Sequence, residues 1–449
     1  MNGYTFSNSE RRAFVSCERR WNYSFQRGWA PRTISVPMAF GRLWDDSLNV
    51  VYEYVKHIQD KGDLANVVRG DLGAVCDMLA NEVCDGRGAL LGHIPSAPER
   101  GVLNEWVQER ADELGEAAEK GWTADGPSYT MADVWEQEGI FRSMLRRYLR
   151  RYLGDDVGGL RILAVQPTLK ASMRTAAGNK STRFSYAGIP DQVVEDPDSG
   201  LIWILEQKST GMSAVSRESD LRVDPQGLSY CWLLWRAAGV PLERIGGVIY
   251  SIGRRKEPSV PKRLKCKKRP KCACVTNADA FGDPGRSCPT CAGTKQDHEG
   301  CDSCDGRGLR GVSLAECDTT PEAYIEAMQM APEWIEDEHN EVVSRLEAKR
   351  ARWFHRFSVR VHPSEILGLE REIYQTGRLA GEGMRRSTLE APRNVGACMV
   401  AGRTCSYVAL CRTGSGFDGT DDMAHAFGFV QRDKNDHHGE PNTWAWRGE

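Results

Sequence analysis

The pattern of apolar and polar residues changes character along the chain. Ser7–Gln26 reads as a helix with Ser7 or Ser9 at its N-cap, and Ala39–Ile58 as a second. Asp71–Tyr152 is nearly free of strand signals and rich in Ala, Leu, Glu and Arg, so it is expected to be largely helical. From Gly159 the pattern switches. Leu160–Leu169 and Phe184–Glu195 read as strands, the turn cluster Asp196-Pro197-Asp198-Ser199-Gly200 follows, and Leu201–Leu205 is a short apolar strand. Gly227–Ala238 is an apolar helix and Ile245–Ile252 another strand. Residues 253–317 are rich in Cys, Gly and Lys and carry little core of their own. Pro321–Val359 and Pro363–Gly383 return to helix, and the tail beyond Thr413, rich in Gly, Asp and His, reads as loose. This pattern predicts an α+β core with a helical subdomain before it and a metal-bound insertion within it.

Composition narrows the picture. The chain has 449 residues, 40% hydrophobic and 27% charged, enough to bury a sizeable core. No apolar run approaches the roughly 18 to 20 residues of a membrane helix. The polar start lacks the apolar stretch of a secretory signal, so the expectation is a cytoplasmic protein without membrane contact. The overall charge is only −3, but cations cluster locally. Residues 1–42 hold seven Arg against two Glu, and residues 251–275 hold ten Lys or Arg against one Glu. Phe141–Tyr152 carries Arg142, Arg146, Arg147, Arg150 and Arg151 with no acid. Any one cluster fits an ordinary solvated face; three together point to a polyanion such as DNA.

The most informative stretch is Ser185–Ser209, a hairpin folded at the turn cluster. Folding there places Asp191 opposite Glu206, close enough for two carboxylates to share a hard divalent cation. Glu206 and Lys208 are two apart and face the same side of their strand. Such a cation activates water and neutralises phosphate, and an adjacent Lys orients that water and stabilises developing charge. Without a cation the facing acids repel.

Farther on, Gln226-Gly-Leu-Ser-Tyr230 opens the apolar helix. The run Gly188-Ile-Pro-Asp191, Glu206-Gln-Lys208 and Gln226-x-x-x-Tyr230 resembles the RecB-like branch of the PD-(D/E)XK nuclease superfamily. The resemblance implies a restriction-endonuclease-like mixed central sheet flanked by helices. It implies that Asp191 and Glu206 bind Mg2+ or Mn2+, with the Gln207 carbonyl as a further ligand. Lys208 then assists catalysis, and Gln226 and Tyr230 contact DNA. Two positions depart from the family pattern: Gln166 stands where a Glu is frequent, and Asp45, in Gly41-Arg-Leu-Trp-Asp45, stands where a metal-binding His is usual. Asp45 still suits a hard cation, with Asp46 the less favoured choice.

The 15 cysteines argue for metal or free thiols rather than a disulfide framework. Cys76, Cys84 and Cys231 read as small core residues. Cys17 near the start and Cys398, Cys405 and Cys411 near the end resemble the iron–sulfur staple of a subset of RecB-like nucleases, although the gap after Cys398 is longer than usual. Four thiolates suit a 4Fe–4S cluster, suit zinc equally in number, and also fit buried cysteines without metal. Cys288, Cys291, Cys301 and Cys304 form two Cys-x-x-Cys knuckles, the strongest metal signal in the chain, expected to hold one Zn2+. They resemble the DnaJ zinc repeat. Cys266, Cys272, Cys274 and Cys317 with His298 leave a second site open.

The organisation expected is therefore residues 1–45 with Cys17 and Asp45, a helical subdomain at 46–158, a nuclease core at 159–252, a zinc-ribbon-like insertion at 253–317, C-terminal helices and cysteines at 318–412, and a tail at 413–449. The function implied is a metal-dependent DNA exonuclease of the kind phages carry for recombination, replication or repair, working beside a recombinase or single-strand-binding protein. The alternatives are a CRISPR-associated nuclease that trims DNA for integration, and a non-catalytic zinc-bearing DNA adaptor. No nucleophilic triad and no Gly-x-x-x-x-Gly-Lys-Ser/Thr phosphate loop is present.

Overall fold

A computed structural model describes residues 3–31, 35–62, 71–92, 94, 97–119, 129–259, 318–329, 336–388, 390–400, 403–413, 429–431 and 445–446. The chain divides into two compact units. One comprises Met1–Gly211, Arg217–Arg255 and Arg356–Glu449, the other Met212–Ser216 and Lys256–His355.

The first unit is built on a five-stranded sheet of order β3-β6-β7-β8-β9: β3 Arg161–Val165, β6 Gln192–Asp196, β7 Leu201–Thr210, β8 Ile245–Arg254 and β9 Phe354–Arg360. β3/β6 and β6/β7 run antiparallel and β7/β8 parallel, so the sheet is mixed. β7 lies at its centre. Its buried stretch Ile202–Gln207 is almost continuous because both faces are covered, as expected of an interior strand. A second sheet has the order β1-β5-β4, from Tyr4–Phe6, Lys180–Gly188 and Leu169–Arg174. The long helix α2 (Val36–Lys61) packs against β3 and β7. It buries Phe40, Leu43, Trp44, Leu48, Val51 and Val55, the i, i+3, i+4 stripe of a core-facing helix. α3 (Leu72–Asp85), α4 (Val102–Glu119) and α5 (Met131–Gly159) pack together as the helical subdomain. α6 (Pro225–Arg236) and α9 (Pro363–Gly383) cover β4 and β5. Among the described residues no helix is long and apolar enough to cross a membrane.

In the second unit the described helices are α7 (Pro321–Gln329) and α8 (Glu336–Glu347). Trp353 is buried there, and its indole N–H donates to the Thr319 carbonyl at 3.1 Å.

Several expectations are corrected. The first helix does not run through to Gln26. α1 (Asn8–Ser16) starts at the expected Ser7 cap, whose side chain accepts from the Glu10 N–H, and ends at Cys17. Cys17 is extended, at φ −163°, and a short turn Glu18–Trp21 restarts the helix. The single strand expected over Phe184–Glu195 is two, in different sheets, because Gly188-Ile-Pro-Asp191 turns between them. Leu169–Arg174 is a separate strand, and Phe354–Arg360 is strand rather than helix. The tail returns to the fold at Phe429–Gln431, which pairs antiparallel with β2 (Trp29–Pro31).

Candidate active site

The turn Asp196–Gly200 sets the β6/β7 register, with Gln192 opposite Leu205 and Asp196 opposite Leu201. One step further along that register stand Asp191 and Glu206. Asp191 Oδ2 accepts the Gln207 backbone N–H at 2.7 Å, which fixes the carboxylate over the next strand. Glu206 follows the apolar run Ile202–Leu205 and is buried with it, only 2% exposed. Lys208 Nζ lies 2.6 Å from Glu206 Oε1. Glu206 Oε2 is buried and has no hydrogen-bond partner.

α2 brings a third acid. Gly41, one turn before Asp45, lies against β7, with the position of a Cβ there 3.7 Å from Ser209 Oγ. Asp45 thereby joins Glu206 and Lys208. Burial, together with Glu206 and Asp46, pushes its carboxyl up to about 7, although Lys208 opposes the shift. Asp191 is likewise raised well above the ordinary carboxylate range, first by burial and then by Glu206 and Asp45. Burial alone would lower the Lys208 ammonium, but Glu206, Asp191 and Asp45 hold it above its usual value.

α6 supports the Asp191 turn. Its N-cap is Asp224, whose side chain accepts the Gln226 N–H, with Pro225 at the first helical position. Tyr230 is buried; its hydroxyl donates to the Ile189 carbonyl at 3.1 Å and accepts from Gln226 Nε2 at 2.8 Å. Gly188 permits this approach, since a Cβ there would meet Tyr230 Cε1 at 2.8 Å. Tyr230 thus engages the turn before Asp191 with its hydroxyl. Gln166 is exposed and adopts φ 43°, a left-handed conformation that non-glycine residues seldom take. Its backbone N–H donates to the Asp191 carbonyl at 2.7 Å, so its main chain rather than its amide engages the site strand.

Three acids share one lysine, and an orphaned carboxylate oxygen lies buried among them. That donor set fits a hard divalent cation. Among the described residues, however, no group of three or more His, Cys, Asp or Glu side chains is arranged to hold a metal ion. Lys208 occupies one oxygen of Glu206 and the Gln207 N–H one of Asp191, so the acids offer single oxygens from separate segments.

The cysteines expected to ligate iron come from both chain ends and, among the described residues, are not arranged as a metal-holding group. The Cys411 thiol is pushed up to about 11 by burial; Arg19 opposes this, and Cys17, Cys405 and Cys398 add to it. The Cys405 N–H donates to the Cys398 carbonyl at 2.8 Å. Asn394 Nδ2 donates to the Ser16 carbonyl at 2.8 Å beside Cys17. Cys17 lines a cleft of about 450 Å³ with Phe14, Leu379 and Arg393. Cys288, Cys291, Cys301 and Cys304, the possible second zinc set and the basic run Lys262–Lys271 lie outside the described residues.

The arginine row of α5 is paired with acids, as on an ordinary solvated face. Arg146 and Arg150 reach Asp77 at 3.4 and 2.8 Å, Arg142 reaches Asp85 at 2.7 Å, and Arg151 reaches Asp155 at 3.9 Å. The acids come mostly from the neighbouring α3, invisible when α5 is read alone. Residues behind the site were also missed: Asn49, Tyr148, Asp156, Gln192, Ser251 and Arg356 form a buried polar group. The one sequence signal was Gln192 ahead of the apolar pair Val193-Val194.

A mixed sheet that carries Asp191, Glu206 and Lys208 on adjoining strands defines a restriction-endonuclease-like fold, the class of nucleases that typically use Mg2+ or Mn2+. The PD-(D/E)XK nuclease superfamily model matches residues 5–412, and the chain belongs to that superfamily. No curated protein matches it.

Proposed function

We propose that this chain is a Mg2+- or Mn2+-dependent deoxyribonuclease of the RecB-like branch, acting as an exonuclease. The observation that carries the reading is the buried, partnerless Glu206 Oε2 beside Asp191, Asp45 and the Lys208 ammonium. Asp45, Asp191, Glu206 and the Gln207 carbonyl are the groups proposed to hold the cation. When bound, the cation supplies positive charge for the scissile phosphate and lowers the pKa of water.

The chain's own residues do the rest. Lys208, kept protonated by three carboxylates, donates a hydrogen bond to the attacking water and stabilises charge on the phosphate oxygens. The Gln207 N–H holds Asp191 in place. Tyr230 and Gln226 hold the Ile189 carbonyl and thereby the turn that delivers Asp191, so their contribution to DNA placement is made through that turn.

The same reading assigns a 4Fe–4S cluster to Cys17, Cys398, Cys405 and Cys411, supported by their mutual electrostatic neighbourhood. It assigns one Zn2+ to Cys288, Cys291, Cys301 and Cys304, supported by their spacing. A role in phage-type recombination or repair, beside a recombinase or single-strand-binding protein, goes with it.

The test uses anaerobically purified protein with end-labelled linear and circular DNA and either Mg2+ or Mn2+, beside Asp191→Ala and Lys208→Ala. The expected result is loss of the linear substrate, sparing of the circle, and no cleavage by either variant. Cleavage retained by Lys208→Ala overturns the assignment. DNA bound but uncut by the wild type indicates the adaptor alternative.

A further inference from the structure

A chain of buried polar side chains runs behind the carboxylate site. Successive residues of a strand face opposite sides. Gln207, between Glu206 and Lys208, therefore sends its amide to the other face of β7, where it is fully buried. Its Oε1 accepts the Tyr148 hydroxyl at 3.0 Å, and its Nε2 donates to Gln192 Oε1 at 3.2 Å. Gln192 Nε2 in turn donates to Asn49 Oδ1 at 2.7 Å. These three amides share a placement. Gln192 follows Asp191, Gln207 separates Glu206 from Lys208, and Asn49 lies one helical turn beyond Asp45. The relay joins from behind the three segments that deliver the acids.

Charge anchors one end of it. Arg356, on β9, forks onto Asp156 of α5, with Nη2 3.1 Å from Oδ2 and Nη1 on Oδ1. Asp156 is 2% exposed and also takes the Tyr52 hydroxyl at 2.7 Å. Arg356 Nη2 donates to the Tyr148 hydroxyl at 3.0 Å, and its Nε to Ser251 Oγ at 3.2 Å. A guanidinium has no acceptor. The Tyr148 oxygen therefore accepts from Arg356 and its own proton is directed at Gln207 Oε1, with Ser251 Oγ 2.8 Å from the same oxygen. With Gln207 Oε1 committed as acceptor, its NH2 is turned to Gln192, and the Gln192 NH2 to Asn49. A half-buried cation thus stands at one end of a continuous run of hydrogen bonds, and bonds linked in this way polarise one another.

We propose that Arg356 is a positioning residue of the nuclease centre, which through Tyr148 fixes Gln207, Gln192 and Asn49 and with them the spacing of Asp191, Glu206 and Asp45. The inference rests on the assignment of those acids as cation ligands. It gives the strand after the inserted unit a part in assembling a site more than a hundred residues upstream.

Tyr148→Phe tests the relay by removing one oxygen and keeping the ring. Arg356→Met alone strands a buried carboxylate and risks the fold, so Arg356→Met/Asp156→Leu, which removes both charges, stands beside it. The probe is Mn2+ alone, titrated into each protein and followed by the electron paramagnetic resonance of free Mn2+. kcat and KM on linear DNA are measured in parallel, at a temperature where every variant is folded. Tyr148→Phe and the double variant are expected to weaken Mn2+ affinity and lower kcat about tenfold or more, with KM for DNA unchanged. Arg236→Met, which breaks the ion pair to Glu370 outside the relay, is expected to lose stability with Mn2+ affinity intact. Wild-type Mn2+ affinity and kcat in both relay variants overturn the positioning role, while loss of Mn2+ binding in Asp191→Ala leaves the nuclease reading standing. Unaltered Mn2+ binding by Asp191→Ala overturns that reading, and the positioning role with it.

Discussion

Removing Lys208 separates its two tasks, balancing the acids and assisting the reaction. Lys208→Met keeps most of the aliphatic stem and deletes the ammonium 2.6 Å from Glu206 Oε1. Breaking a buried ion pair from one side costs about 3–5 kcal/mol. Glu206 is 3% exposed in its side chain but Lys208 is 29% exposed, so water screens part of the loss and the lower end, about 3 kcal/mol, applies. The pH dependence has a definite sign. The ammonium matters only where the acids are charged, and Asp45 titrates near 7. The destabilisation is therefore largest near pH 8 and shrinks towards about pH 5.5, where Asp45 is neutral. A cation replaces the missing charge: at a hundred times its dissociation constant it stabilises by about 2.7 kcal/mol, and more in the variant, whose site binds it more tightly. Thermal unfolding of wild type and variant, with and without Mn2+ at the two pH values, reads all of this. The variant is expected to regain most of its lost midpoint with Mn2+ at the higher pH and still to cleave no DNA. Equal destabilisation at both pH values, or no greater Mn2+ response than the wild type, refutes the carboxylate cluster as the cation site.

Other outcomes follow from the same structure. Because protons compete for Asp45, Mn2+ affinity is expected to fall about tenfold between pH 8 and pH 6; calorimetric titration across that range checks it. Glu10 is buried and raised from 4.5 to about 7, chiefly by desolvation, while its Oε1 accepts from Tyr4 and from the Trp21 indole. A raised carboxyl costs the folded state stability as pH rises from about 4.5 to about 7, about 3 kcal/mol in full. Glu10→Gln keeps the accepting oxygen and is expected to recover that stability at pH 8 and little at pH 5, as chemical denaturation at the two values shows. Tyr230→Phe orphans the Ile189 carbonyl and is expected to lower kcat and Mn2+ affinity together, with DNA affinity read by filter binding unchanged.

The parts of the fold and site that were legible in sequence are those written in short-range chemistry. The Asp196–Gly200 turn fixes the hairpin register, so the neighbourhood of Asp191 and Glu206 could be read from two sequence positions. The heptapeptide-scale pattern likewise gives α9 its limits at Pro363 and Gly383. What was not legible depends on partners distant in sequence. The ion pairs of the α5 arginines with Asp77 and Asp85 of α3 are not visible when α5 is read alone. The bond from the Tyr230 hydroxyl to the Ile189 carbonyl, 41 residues away, has no local signal either. Arg356 has no local signal, since its significance comes from Asp156 and Tyr148, roughly two hundred residues earlier. The break at Cys17 was hidden because Ser7–Gln26 has helical residues throughout; tertiary bonds from Arg19 to the carbonyls of Ala391 and Pro392 accompany the extended residue instead.

That break bears on what the four cysteines do. The two ends of the chain are held together here by packing and strand pairing. The strand Phe429–Gln431 pairs with β2, the Tyr23 and Tyr407 rings stack at 6.0 Å, and the Tyr407 hydroxyl donates to the Trp29 carbonyl at 2.8 Å. Tyr23, Trp29, Tyr407, Leu410 and Phe429 form one buried cluster with Cys405 and Cys411 against it. Each such side chain stabilises docking by roughly 1.5–3 kcal/mol before entropy is set against it. If the proposed iron–sulfur cluster sits on Cys17, Cys398, Cys405 and Cys411, it is expected to control local opening of the terminal segments, with the nuclease core folding without it. Cys411→Ser should lose iron by elemental analysis, become sensitive to limited proteolysis C-terminal to α9, and keep wild-type Mn2+ affinity. Unchanged proteolysis after loss of iron would refute the staple. Loss of Mn2+ binding would instead make the cysteines part of the catalytic framework, since terminal fraying alone leaves Asp191, Glu206 and Lys208 in their strands.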